Sequence, residues 1–154
     1  GGLAAGLGLL ARDRGEVKVA YQLLIYPMID DRNTAQADDD LADTHVWSRA
    51  NNLAGWRSYL GHEPGGEGVS PYAAAARAED VSGLPPTYIG VGTPDLFCDE
   101  NFAYAQRLIA AGVSTEFHVY PDGFHGFDGF APDTDAAQRF IADRTSVLSR
   151  ALHG

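Results

Sequence analysis

Two residues of this sequence combine side-chain types and a spacing that suit chemistry. His125 stands in YPDGFHGFDGF (120–130), between glycines and aromatics, and Asp95 stands in GTPDLFCDE (92–100), 30 residues earlier. A carboxylate that accepts a hydrogen bond from one imidazole nitrogen fixes the tautomer and stabilises the protonated ring. The other nitrogen is then left to take a proton from a nucleophile. Each residue alone has a plainer reading. A histidine among aromatics is often a hydrogen-bonded structural residue, and an aspartate after Pro often caps a helix or turn. Their joint placement favours chemistry, provided that the chain brings them together.

The elements that must do so can be read from apolar periodicity. KVAYQLLIYP (18–27), PPTYIGVG (85–92) and STEFHVYP (114–121) are short β-rich runs, the last alternating Phe117 and Val119 against Glu116 and His118. GGLAAGLGLLARDRG opens the chain with helical spacing, with Leu3, Leu7 and Leu10 on one face and Gly15 as its stop. DENFAYAQRLIAAGV places Phe102, Ala105, Leu108 and Ile109 at helical spacing, with Asp99 and Glu100 suited to the positive first turn and Gly112 to the stop. The final segment repeats the pattern with Ala137, Phe140, Ile141, Val147, Leu148 and Ala151. Such alternation predicts an α/β fold with three parallel strands and flanking helices. Ligands of parallel sheets bind beyond the carboxyl ends of the strands, where Asp95 and His125 both emerge.

Residues 28–84 interrupt the rhythm. This excursion holds a helix expected from about Val46 to Leu60 with Trp47, Leu53 and Trp56, and an acidic stretch of Asp30, Asp31 and Asp38 to Asp40. The acidic spacing is irregular and no His or Cys joins it, so a solvated loop is expected rather than a metal site. No cofactor is expected anywhere.

Composition excludes several classes. The chain has 154 residues, 45% of them hydrophobic and 21% charged, enough for one domain with a real core. The net charge of −10 without a Lys/Arg cluster leaves no footprint for nucleic acid or an anionic membrane. No run approaches the roughly 20 apolar residues of a membrane span. The single cysteine, Cys98, allows no internal disulfide and fits a reducing, cytoplasmic setting.

The opening GGLAAGLGLLARDRG, IYPMID, and the long stretch from SPYAAAARAEDVSGLPP through GTPDLFCDE to YPDGFHGFD resemble the C-terminal half of the hormone-sensitive-lipase-like α/β-hydrolase esterases. The resemblance implies a Ser–His–Asp carboxylesterase or lipase-like hydrolase, with Asp95 as the triad acid, His125 as the general base and the Asp99–Glu100 pair structural. It implies that Gly1 and Gly2 are the tail of the nucleophile motif, so the serine is expected just before Gly1 and the oxyanion-hole segment further upstream. None of Ser48, Ser58, Ser70, Ser82, Ser114, Ser146 or Ser149 has the strand–turn–helix setting with flanking glycines. Residues 1–154 are then a single partial domain. Its strand containing AYQLLIY is expected to need cover from the missing N-terminal half or from another copy. The substrate implied is a small-molecule ester. Phe97 and Phe127, beside acid and base, are expected in its apolar pocket, with core packing as the plainer role. Activity is expected to fall as the imidazole takes up a proton at acid pH. The other reading left open is a non-catalytic small-molecule binding module on the same scaffold.

Overall fold

The computed structural model describes residues 1–34 and 46–153, so Asp38 to Asp40 lie outside the described residues. Three parallel strands form one sheet in the order β1 (Gln22–Ile25), β2 (Thr87–Gly92), β3 (Thr115–Tyr120). The register sets Leu24 opposite Ile89 and Ile89 opposite Phe117, and sets Ile25 opposite Gly90 and Gly90 opposite His118. Side chains alternate across a strand, so these two rows face opposite layers. Helices α1 (Gly2–Arg14) and α3 (Cys98–Ala110) cover the first row, where Ala5, Leu9, Leu24, Ile89, Tyr104 and Leu108 share one buried cluster. Helix α5 (Asp135–His153) covers the second, bringing Ala137 and Phe140 against Tyr120. All six residues of β2 are buried, as a central strand sandwiched between helices requires.

The run 18–27 contributes only four strand residues. Its pairing ends at Ile25 because Tyr26 adopts a φ of +31°, which turns the chain off the sheet.

Helix α1 also differs from its apolar spacing. Leu3 and Leu7 are 69% and 62% exposed, and the buried face is Ala5, Gly6, Gly8 and Leu9. Close approach explains this. A Cβ on Gly6 would lie 2.0 Å from the carbonyl oxygen of Tyr72, so only the small-residue face can seat against the excursion. In α3, Phe102 and Ile109 are exposed while Asn101 is fully buried, its Nδ2 donating to the carbonyl of Pro27 at 2.7 Å. That polar anchor rotates the helix away from the orientation that its apolar residues suggest. In α5, Ala137, Phe140 and Val147 are buried but Leu148 is exposed.

Within the excursion, α2 (Arg49–Leu60) starts three residues later than its spacing predicts. Ser48 sets the start by capping it, its Oγ accepting from the Asn51 N–H at 3.1 Å. Trp56 is buried with Val69 and Ala74, and Leu53 is only half-buried. A 3₁₀ turn at Ala75–Arg77 and the short α4 (Phe127–Phe130) carried no signal in the sequence pattern. Asp31 is not solvated. Its side chain is wholly buried, with Arg77 Nε at 2.5 Å and the Gly65 N–H donating at 2.7 Å. Burial opposes its charge, but the Arg77 and Gly65 donors prevail and hold the carboxyl below its ordinary range. Among the described residues no helix is long and apolar enough to cross a membrane.

Candidate active site

Asp95 sits in the turn that leaves β2. Its N–H donates to the carbonyl of Gly92 at 3.3 Å, and its Oδ1 accepts from the Phe97 N–H at 3.0 Å. One carboxylate oxygen is thus committed to the turn, which fixes the side chain and aims the other outward. That oxygen, Oδ2, accepts from Nδ1 of His125 at 3.0 Å. The Asp95 side chain has no solvent exposure and that of His125 has 20%. A buried carboxylate at Nδ1 demands the Nδ1–H tautomer, which leaves Nε2 free to accept a proton.

The loop after β3 delivers His125 by folding over the end of β2. A Cβ on Gly92 would lie 1.4 Å from the carbonyl oxygen of Gly123, so only a hydrogen fits there. Asp122, with φ +60°, donates its N–H to Thr93 Oγ1 at 3.0 Å and staples the two strand ends together.

Among the described residues three aromatic rings flank the imidazole. Tyr26 meets it edge-on at 4.6 Å between centroids, Phe97 edge-on at 5.3 Å, and Trp47 lies 6.0 Å away. Tyr26 holds its positive φ at a cost of about 1–3 kcal/mol, so the surroundings over-determine it. Its hydroxyl donates to Asp128 Oδ1 at 3.0 Å, and Asp128 Oδ2 accepts from Arg144 Nη1 at 2.5 Å. Burial first, and then the Asp128 carboxylate, push this phenol above its ordinary range, so it stays a donor.

His125 lines a cavity of about 220 Å³ together with Gly1, Gly2, Met28, Trp47 and Phe97. A second cavity of about 250 Å³ shares Gly1, Gly2 and Met28 with it and extends to Trp56 and Tyr59. Two larger cavities, about 610 and 620 Å³, open at the amino ends of the strands near Pro85 and Thr115, away from the Asp95–His125 pair. Size points one way and chemistry the other. In a parallel sheet the carboxyl ends are where ligands bind, and there the smaller cavity meets a buried acid–imidazole pair.

Phe97 thus reaches the cavity, but Phe127 does not. It is buried in the cluster of Tyr120, Ala137 and Phe140, because α4 turns it inward toward α5. Burial, then the Asp99 and Asp95 charges, push the Cys98 thiol up, which keeps it protonated and a poor nucleophile. Glu100 is buried and accepts from the N–H groups of Ile29 at 2.7 Å and Asp30 at 3.1 Å and from Asn33 Nδ2 at 2.7 Å. It straps the excursion to α3. Burial raises it to about 8, against the pull of those three donors.

Sequence reasoning missed Tyr26, Met28 and Trp47 as neighbours of the pair. Tyr26 had a signal, since it follows a strand at its carboxyl end. Trp47 had none, being brought in by the fold of the excursion.

The profile of the α/β-hydrolase fold family matches residues 1–129. The chain belongs to the α/β-hydrolase fold family. Among curated members it is 34% identical to carboxylesterase NlhH of Mycobacterium tuberculosis, over 99% of this chain and 48% of that protein. It is 32% identical to esterase LipI of the same organism, over 100% and 48%. Among solved α/β-hydrolases it superposes on a bacterial heroin esterase with a TM-score of 0.87 and 39% identity, covering 99% of this chain and 49% of that one. Esterase LipW from Mycobacterium marinum gives 0.85 and 37%, covering 97% and 46%. The chain therefore spans about half the length of the curated relatives it matches.

Proposed function

We propose that this chain is the acid- and base-bearing part of a carboxylic ester hydrolase that works by Ser–His–Asp acyl transfer. The observation that carries the reading is the 3.0 Å contact between Asp95 Oδ2 and His125 Nδ1 at the carboxyl ends of adjacent strands, beside a cavity that the start of α1 also lines. Among the described residues that line this cavity none is a serine. The reading therefore places the nucleophile just before Gly1, at the tip of α1.

In this mechanism His125 Nε2 takes the serine proton as the hydroxyl oxygen attacks the ester carbonyl. The imidazolium, stabilised by Asp95, then gives that proton to the departing alkoxide, which leaves as the alcohol. Water repeats the sequence on the acyl-enzyme: His125 takes its proton, the acid forms, and the serine is restored. In this reading the amino end of α1, which lies beside the cavity, supplies positive potential to the developing oxyanion. Met28, Trp47 and Phe97 give the substrate an apolar wall, which suits a small neutral ester. No cofactor enters this reading.

Part of the same proposal is that the outer edge of β1 is covered by the remainder of the protein or by a second copy, since an open apolar edge invites pairing. A cytoplasmic setting fits the single free cysteine.

The test is hydrolysis of p-nitrophenyl esters of short acids by the full-length protein, with His125→Ala alongside. A fall of about 10⁴-fold or more in kcat supports the reading. A native protein that binds such esters without turning them over is instead a binding module on this scaffold.

A further inference from the structure

We propose that Tyr26 is a positioning residue for His125, acting both through its ring and through the hydroxyl bond to Asp128. This rests on the esterase reading above, and deepens it.

A histidine with one hydrogen bond can still pivot about that bond, and a pivot moves Nε2 away from the reacting hydroxyl. Two edge-on rings limit the pivot here, Tyr26 at 4.6 Å and Phe97 at 5.3 Å. Phe97 follows Asp95 by two residues in the same turn, so it holds the ring from the acid's side. Tyr26 directly follows β1, the other neighbour of β2, and holds it from the opposite side of β2.

Its hydroxyl adds a second tie. Asp128 lies three residues after His125, so the 3.0 Å bond from Tyr26 Oη to Asp128 Oδ1 fastens the segment that carries the imidazole to the end of β1. Asp128 is fixed in turn by Arg144 of α5, and the Arg144 guanidinium stands 5.2 Å over the ring of Phe140. Phe140 stacks on Tyr26 itself, 6.0 Å between centroids at 18°. The tyrosine is thus enclosed on its own terms, and it keeps a φ of +31° that a non-glycine residue avoids unless its side chain is needed where that backbone puts it.

The test uses the full-length protein and the variants Tyr26→Phe, Asp128→Asn, their double, Tyr26→Ala and His125→Ala. Kinetics on p-nitrophenyl esters separate kcat from KM, and thermal melts report folding. Tyr26→Phe and Asp128→Asn are each expected to lower kcat about 5- to 10-fold with KM changed less than about twofold, since misplacement of a catalytic group acts on the reaction step. The double is expected to be no worse than the worse single, because both break one chain. Tyr26→Ala, which removes the ring as well, is expected to lose about 100-fold in kcat.

If Tyr26→Ala fails to fold, the two variants of unchanged shape decide. The proposal is overturned if both keep kcat within about twofold of wild type, or if their effects multiply in the double. In that case a His125→Ala enzyme without activity leaves the esterase reading standing. If His125→Ala keeps wild-type kcat, the esterase reading falls and this proposal falls with it.

Discussion

His125 Nδ1 and Asp95 Oδ2 lie 3.0 Å apart although they leave different strands, and the carboxylate that receives the bond has no solvent exposure. Asparagine at 95 can still accept the Phe97 N–H through its oxygen, but it presents an amide N–H₂ to the imidazole and reverses the tautomer. Asp95→Asn is therefore expected to cost about 10⁴ in kcat in the full-length protein, with the fold intact by circular dichroism. A loss of less than about tenfold would remove Asp95 from the mechanism.

Gly92 allows that contact to form. Alanine there sets a methyl 1.4 Å from the Gly123 carbonyl oxygen, so the loop carrying His125 must lift off the end of β2. The expected outcome for Gly92→Ala is about 1–3 kcal/mol of destabilisation by denaturant unfolding and a fall of about 100-fold in kcat. Gly129→Ala is the control, since a Cβ there meets nothing within 4 Å.

The two strand-end loops were legible because a parallel sheet with one helix between neighbouring strands suffices to bring Asp95 and His125 to one edge, as the pairing of β2 with β3 bears out. Helix faces were less legible. Apolar spacing placed Leu3, Leu7, Phe102 and Ile109 inward, yet all four are exposed. Close approach by glycines in α1 and a buried asparagine in α3 set those orientations, and neither adds to an apolar pattern. Asp31 illustrates the same limit. Its burial depends on Arg77, 46 residues away, which no local pattern connects to it.

That ion pair makes its own prediction. Arg77 grips Asp31 with two nitrogens, Nε at 2.5 Å and Nη2 at 2.9 Å, and also donates to the Gly66 carbonyl at 2.8 Å. Arg77→Met leaves a buried carboxylate with the Gly65 N–H as its remaining tie outside its own segment among the described residues. The expected cost is about 3–5 kcal/mol in denaturant unfolding. Replacing both partners, Asp31→Asn with Arg77→Met, is expected to recover part of it, because no charge is then stranded. A single variant within about 0.5 kcal/mol of wild type would contradict the pairing.

Glu100 predicts how stability depends on pH. Unfolded, its carboxyl releases its proton near 4.5, whereas burial in the folded protein raises it to about 8. Between those values the folded state holds a proton that the unfolded state has lost. Rising pH therefore pulls toward unfolding, by up to about 1.4 kcal/mol per pH unit from this group. Its contribution is fully present below 4.5 and is lost as pH climbs through about 8. Other groups titrate in the same window, so the informative quantity is the difference between wild type and Glu100→Gln. Glutamine cannot ionise but can still accept the Ile29 and Asp30 N–H groups through its oxygen. Denaturant midpoints at several pH values across that window are expected to show wild type losing ground to Glu100→Gln as pH rises. A constant difference would mean that the three donors, from Ile29, Asp30 and Asn33, outweigh burial and keep the carboxylate charged throughout.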